Sequence, residues 1–408
     1  MLPEPALTLT LPSIHDGTVL DCRLYHPVSL AASNLRAPPW TRDAAIVAHP
    51  YAPMGGCCDD PIVEVVAAQL LRKGFLVGTF NFRGAGTSAG STSWTARPER
   101  EDYMSFVGFL VYYLHYLDPF VADDERDVHA VSLSKGAPVL LLAGYSYGAM
   151  ITSQLPPLQD ILDVFANPTS GSDAAHIRLR AHHLASQQNA ILGGVRAAVL
   201  ERRLQPRSPR MGVRVGGGEG TGPSSPRKSH DSAGRRSFSE AEDKLRKGVH
   251  DLLIKTKLHH GAAARHGHRA SSHSVQSDPT AFSSSPATPV EDKMAPVAEL
   301  VVPRPAYLLI SPLQGVITHL ATMSFGRQAT GGPAETKLVR EPTLAVYGDR
   351  DVFVPASRLK AWAARLRGQA ESRFRGEEIA PAGHFWVEEG ALGRMSELVG
   401  EFAAVLRR

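Results

Sequence analysis

Gly144-Tyr145-Ser146-Tyr147-Gly148 has the spacing of a nucleophile set on a tight turn. An apolar run, Val139 to Ala143, precedes it, and a helix-compatible run, Ala149 to Thr152, follows. A strand that turns sharply into a helix needs small residues on both sides of the serine, because larger ones clash around the turn. The turn lifts the Ser146 hydroxyl above the sheet edge, and the helix start beneath it favours developing negative charge. The chemistry this suits is attack of a serine oxygen on a carbonyl carbon. The plainer reading is a strand–turn–helix unit without chemistry, so the partners of Ser146 decide.

A serine hydroxyl is a weak nucleophile without a base. The chain has 17 histidines, so a lone one means little and position must select. His384, in Pro381-Ala382-Gly383-His384-Phe385-Trp386, sits on a glycine-containing loop between an expected strand and the final helix. The histidine in turn needs an acid to fix its tautomer and stabilise the imidazolium. Asp351, in Tyr347-Gly348-Asp349-Arg350-Asp351, is the expected acid, with Asp349 in reserve. Asp349 falls in the tight turn, where aspartate often serves only as a turn former. A tetrahedral intermediate also needs backbone donors. One is expected from Tyr147, directly after the nucleophile, and the other from the loop after Ala44 to Ala48. Pro50 has no N–H, which leaves Tyr51, with Ala52 as the alternative. Gly55-Gly56 lets that loop turn closely.

These residues need a scaffold, and the pattern supplies one. Leu7 to Leu11 and Thr18 to Tyr25 alternate around Asp16-Gly17 and read as a hairpin. Strands are expected at Ala44–Ala48, Phe75–Phe82, Pro138–Ala143, Ala306–Ile310, Thr343–Tyr347 and Phe374–Ile379. Helices are expected at Ile62–Leu71, Glu99–Leu114, Ala174–Leu192, Ser357–Leu366 and through Leu392 to Leu406. Strands alternating with helices imply a mostly parallel sheet covered on both faces. From about Gln205 the chain becomes rich in Ser, Gly, Pro, Arg and His and buries too little apolar surface to order itself. The expected organisation is therefore a first core part at 1–200, a disordered basic insertion at 205–292 and a second core part at 300–408.

Five motifs now stand together: His49-Pro50-Tyr51-Ala52-Pro53-Met54-Gly55-Gly56, Asn81-Phe82-Arg83-Gly84-Ala85-Gly86-Thr87-Ser88, the Ser146 pentapeptide, Gly348-Asp349-Arg350-Asp351 and Gly383-His384-Phe385. They resemble the α/β-hydrolase superfamily, nearest to small esterase-like members with little or no cap and their fungal relatives. The resemblance spans about residues 15–155 and 300–408. It implies the α/β-hydrolase fold, a doubly wound and mostly parallel sheet. It implies Ser146 as nucleophile, His384 as base, Asp351 as orienting acid, and the Tyr147 and Tyr51 N–H groups as oxyanion donors. The order Ser146, Asp351, His384 is the one this fold uses. The reaction expected is hydrolysis of a carboxylic ester or thioester through an acyl-enzyme; peptide cleavage uses the same apparatus. No metal or organic cofactor is required. Two departures bear on substrate access: His49-Pro50 stands where many members have His-Gly, and a polar insertion stands where others carry a cap.

Composition narrows the rest. Hydrophobic residues make up 43%, enough for a buried core, and no apolar run reaches the roughly 18 residues of a membrane span. Met1 to Leu11 does not read as a secretory signal, and Leu406-Arg407-Arg408 is not a peroxisomal address. Three cysteines, Cys22, Cys57 and Cys58, form no disulfide framework or zinc spacing, so a cytoplasmic setting is expected. Of the net charge of +4, a surplus of seven falls between Arg202 and Asp292, so the body is slightly acidic. Nucleic acid is not an expected partner, because the insertion nearly lacks stacking aromatics. Its segment 244–257 has the charges and apolar face for a membrane surface, but a mobile lid or tether is preferred. Its histidines, His250 to His273, suggest adventitious metal binding only, and its Ser-Pro pairs are common chance matches to phosphorylation sites. Gly84 to Gly90 lacks the Gly-Lys-Ser/Thr ending of a phosphate loop and reads as a rim loop, with Arg83 paired to Asp102. Cys57 and Cys58 read as packing or turn residues. The expected partner is a small acyl ester, and oligomeric state is left open. The rival readings are a non-catalytic scaffold of the same fold, a peptidase, or a peripheral lipase.

Overall fold

The computed structural model describes residues 1–93, 95–120, 136–204, 292–314 and 333–408. Of the expected insertion at 205–292, residues 205–291, with its helix, histidines and Ser-Pro pairs, lie outside them.

Among the described residues, eight strands form one sheet: β1 (Leu7–Pro12), β2 (Val19–Tyr25), β3 (Ala44–Ala48), β4 (Leu76–Phe80), β5 (Val139–Tyr145), β6 (Arg304–Ile310), β7 (Thr343–Arg350) and β8 (Phe374–Gly383). Their order is β1-β2-β4-β3-β5-β6-β7-β8. β2 runs antiparallel to β1 and β4, and every other pairing is parallel. The hairpin turns at Asp16-Gly17, where Asp16 Oδ1 accepts the Thr18 N–H at 3.1 Å and Gly17 takes a φ of 73°.

The strands are short and wholly apolar at the centre, as burial on both faces requires. Alternate residues point to opposite layers. Ala45, Val47, Leu141, Ala143, Leu308 and Ile310 face α1 (Pro61–Arg72) and, at the chain end, Ala391–Leu406. Ala44, Ile46, Leu140, Leu142, Tyr307 and Leu309 face the other layer. That layer contains α2 (Arg97–Tyr116), α3 (Tyr147–Gln154), α4 (Leu158–Ala166), α5 (Asp173–Leu204), α6 (Pro333–Arg340) and α7 (Ala356–Arg367), and the last helix, Ala391–Leu406, is α8. Asp60 caps α1, accepting the Ile62 N–H at 2.8 Å, with Pro61 in the first helical position.

Three helices differ from the sequence expectation. α4 and α6 lie outside the expected helices, although in α4 Leu158, Ile161, Leu162 and Phe165 are buried at helical spacing. α5 runs past the expected end at Leu192, through Gly193-Gly194 to Leu204. Its buried residues stop at Gln188, and beyond that good helix formers such as Ala, Leu, Arg and Glu carry it. Among the described residues, no helix is long and apolar enough to cross a membrane.

The expected pair of Arg83 with Asp102 forms and is bidentate. Arg83 Nε donates to Asp102 Oδ2 at 2.9 Å and Nη2 to Oδ1 at 2.6 Å. Nη1 also reaches Asp16 at 2.9 Å, which ties the hairpin to the start of α2. Asp102 is fully buried and Arg83 nearly so. Removing one member of such a pair leaves a buried charge without its counter-ion. Arg83→Met is expected to lower the unfolding free energy by about 3–5 kcal/mol in urea titration. A loss below about 1 kcal/mol, the size of a surface pair, would show that Asp102 does not depend on Arg83.

Candidate active site

β5 ends at Tyr145, and α3 begins at Tyr147, so one residue makes the turn. Ser146 makes it with φ 56° and ψ −113°, a conformation that non-glycine residues avoid. Its N–H is held by Ile310 O at 2.8 Å, which ties the turn to β6. The flanking glycines are required by proximity. A Cβ on Gly144 would lie 2.3 Å from the Gly148 carbonyl, and one on Gly148 would lie 2.5 Å from Ala48 O. The sequence places these glycines around a clash at the turn; for Gly148 the clash is with the neighbouring strand β3.

Three side chains separated along the chain meet at the carboxyl ends of β5, β7 and β8. His384 Nε2 lies 2.8 Å from Ser146 Oγ. His384 Nδ1 lies 2.7 Å from Asp351 Oδ2. A carboxylate only accepts, so Nδ1 carries the proton and Nε2 is free to accept from the Ser146 hydroxyl. His384 is 2% exposed, Ser146 7% and Asp351 8%. Burial pushes the Asp351 carboxyl up. The His384 hydrogen bond and charge, with N–H groups from Val354 and Phe353, outweigh it, so the carboxyl stays below its ordinary value. Those N–H groups reach Asp351 Oδ1 at 3.0 and 2.8 Å.

The choice between the two aspartates has a geometric answer. Asp349 does not meet His384; its Oδ1 accepts the Ala382 N–H at 2.9 Å. It fastens the strand that carries the histidine. Tyr145, unremarked in the sequence beyond its place in the pentapeptide, does the same from β5. Its hydroxyl donates to the His384 carbonyl at 3.0 Å. Nothing in a single sequence signals a contact across 239 positions.

The loop after β3 contains a second buried histidine, whose role the sequence did not reveal. His49 Nδ1 donates to Pro50 O at 2.6 Å, and Nε2 accepts the Phe82 N–H at 2.9 Å. Both bonds together require the neutral ring. Burial lowers its pKa to about 4. His49 thus clamps the Tyr51 loop to the end of β4. Tyr51 begins a short 3-10 turn, Ala52–Met54, and its ring lies 5.1 Å from that of Tyr147. The N–H of Tyr147 opens α3, where a helix offers it no acceptor of its own. The expected rim loop Gly84 to Gly90 sends its hydrogen bonds to the hairpin: Ala89 N–H to Val19 O at 2.8 Å, and Ser88 Oγ accepting from Asp21 N–H at 2.8 Å. Cys22 and Cys58 are buried, which pushes the Cys58 thiol up to about 12 and that of Cys22 well up, so neither ionises readily. A cavity of about 490 Å³ opens at the opposite edge of the sheet, by Val139, Arg304 and Glu341. It contains none of the residues that meet at Ser146.

An eight-stranded sheet with an antiparallel second strand, carrying a serine on a turn between β5 and α3, is the α/β-hydrolase fold. Solved structures similar to this chain include an alpha-beta serine hydrolase homologue from Coxiella burnetii, at 13% identity and TM-score 0.41, covering 98% of this chain and 99% of that one. A serine hydrolase without lid from Xanthomonas campestris is similar at 15% identity and TM-score 0.41, covering 98% and 95%. Est1E from Butyrivibrio proteoclasticus, with ferulic acid bound, is similar at 13% identity and TM-score 0.40, covering 97% of each chain. No protein-family model and no curated protein matches the chain.

His49 gives a test in solution. Its folded pKa of about 4 lies below the ordinary 6.5, so between those values the unfolded chain binds a proton that the folded protein does not. Its stabilising effect is complete above about pH 6.5 and is lost as pH falls towards 4, on the order of 3 kcal/mol in all. Unfolding free energies measured across that window are expected to show this slope, and His49→Gln is expected to flatten it. Equal slopes in both proteins would count against a neutral His49.

Proposed function

We propose that this protein is a serine hydrolase that cleaves a carboxylic ester or thioester through an acyl-enzyme on Ser146. The observation that supports it is the continuous line from Asp351 Oδ2 to His384 Nδ1, and from His384 Nε2 to Ser146 Oγ, at 2.7 and 2.8 Å. Ser146 Oγ attacks the carbonyl carbon while its proton passes to His384 Nε2. Asp351 keeps the imidazole in the required tautomer and stabilises its charged form. The negative charge on the carbonyl oxygen is held by the N–H groups of Tyr147 and Tyr51. As the intermediate collapses, the bond to the alcohol oxygen breaks, and His384 returns the proton to that oxygen. Water then gives a proton to His384 and attacks the acyl carbon; the bond from that carbon to Ser146 Oγ breaks, His384 returns the proton to Oγ, and the acid leaves. No step calls for a metal or organic cofactor. The small-molecule acyl ester is the proposed partner.

A fluorophosphonate probe phosphonylates a serine only when it is activated. It is expected to label the wild type and to fail on Ser146→Ala. An unlabelled, folded wild type would favour a non-catalytic scaffold. Asp351→Asn is expected to lower kcat by about 10,000-fold, because the imidazole would adopt the wrong tautomer.

The Tyr51 donor has its own test. Tyr51 has a φ of −64°, which proline also adopts, so Tyr51→Pro removes the N–H without forcing φ to change. Compared with Tyr51→Ala, which keeps the N–H and loses the same ring, it is expected to cost about 100- to 1,000-fold in kcat. Equal activity of the two variants would move the donor elsewhere, with Ala52 next in line.

A further inference from the structure

The proposed reaction fixes where the alcohol portion of the substrate must lie. His384 Nε2 has to reach the departing oxygen to protonate it. That oxygen therefore sits on the imidazole side of the acyl carbon, away from the Tyr51 and Tyr147 N–H groups. What borders the imidazole is aromatic. The Phe353 ring meets it edge-on at 4.6 Å, the Phe385 ring at 5.3 Å, and the two phenyl rings stand 5.9 Å apart. Tyr145 is also near, at 5.7 Å, but it is buried and its hydroxyl is held by the His384 carbonyl.

Two more exposed apolar residues lie beside these phenylalanines in the chain. Phe385 is 52% exposed, and Val352 and Val387, on the same two loops, are 75% and 82% exposed. A single exposed apolar side chain needs no explanation, whereas neighbours around a reacting group point to a ligand. The acid itself helps place this border. Asp351 Oδ2 takes His384 while Oδ1 holds the N–H of Phe353 and of Val354, so the turn that orients the base also sets Phe353 against it.

We infer that Phe353 and Phe385 form the recognition surface for the alcohol portion of the ester, and that this alcohol is apolar, an aromatic or extended alkyl group. This rests on the ester-hydrolase reading above, which supplies the position of the leaving oxygen.

The test uses the full chain and two series of esters. In one, the acyl group is acetyl and the alcohol is methyl, butyl or benzyl. In the other, the alcohol is methyl and the acyl group runs from acetyl to octanoyl. The wild type is expected to turn over benzyl acetate with a kcat/KM about 10-fold above that for methyl acetate. Phe385→Ala is expected to lower that ratio about fivefold. Phe385→Leu keeps apolar area without the ring, so it is expected to retain the butyl preference and lose most of the benzyl preference. In both variants the octanoyl-to-acetyl ratio is expected to stay as in the wild type. Each ratio is taken within one protein, so a fraction of unfolded enzyme cancels. A wild-type benzyl-to-methyl ratio near unity, or one unmoved by Phe385→Ala, overturns this inference and leaves the hydrolase reading intact. A shift in the acyl ratio alone also overturns it, because Phe385 would then face the acyl group. Absence of turnover with every ester, together with absence of probe labelling, removes the reaction and this inference with it.

Discussion

The hydrogen-bonded line through His384 exists because three strand ends come closer than side chains usually permit. β5 supplies Ser146, β7 leads to Asp351 and β8 leads to His384. At two close approaches around them a glycine replaces what would be a collision. Gly148 lies against Ala48 and His49, and a Cβ on Gly348 would stand 2.1 Å from Ala382 O. Beyond Gly348 the pairing of β7 with β8 shifts register, from Gly348 opposite Ile379 to Arg350 opposite Gly383. That irregularity lets Asp349 and Asp351, two residues apart, take different work. Asp349 fastens the backbone of β8, and Asp351 meets the imidazole. A regular ladder would send both side chains to the same face.

Two buried histidines share this edge, and their surroundings separate them. His49 Nε2 is taken by an N–H, which leaves no place for a second proton, and burial outweighs the Pro50 carbonyl and keeps the ring neutral. His384 has a carboxylate on one side and a hydroxyl on the other. One ring therefore clamps the loop that carries Tyr51, and the other links Asp351 to Ser146.

Much of this was legible in the sequence, for identifiable reasons. The Ser146 pentapeptide is local, and its strand and helix flank it, so pattern alone places it. The strands at Ala44–Ala48 and Thr343–Tyr347 were legible because burial on both faces leaves continuous apolar runs. His384 and Asp351 could be selected by loop position and chain order, and the geometry brings both to Ser146. What escaped is non-local or short. The His49 clamp reaches Phe82, and the Tyr145 hydroxyl reaches the His384 backbone; single-sequence periodicity carries neither contact. α4 has a clear apolar stripe but only nine residues. The far half of α5 has no buried face to mark it.

The chain encodes Ser146 before the long polar segment, and His384 and Asp351 after it, so the second part must return to the sheet accurately. The return is pinned. Thr169 bridges Lys293, Ser170 N–H donates to Asp292 O at 2.8 Å, and Met294 N–H donates to Pro168 O at 2.9 Å. Arg178, buried on α5, adds a bond from Nη2 to Ala295 O at 2.9 Å. β6 then pairs with β5 over seven residues, and Ile310 O receives the Ser146 N–H. The geometry at Ser146 is thus set by the β5–β6 ladder and the pinned re-entry.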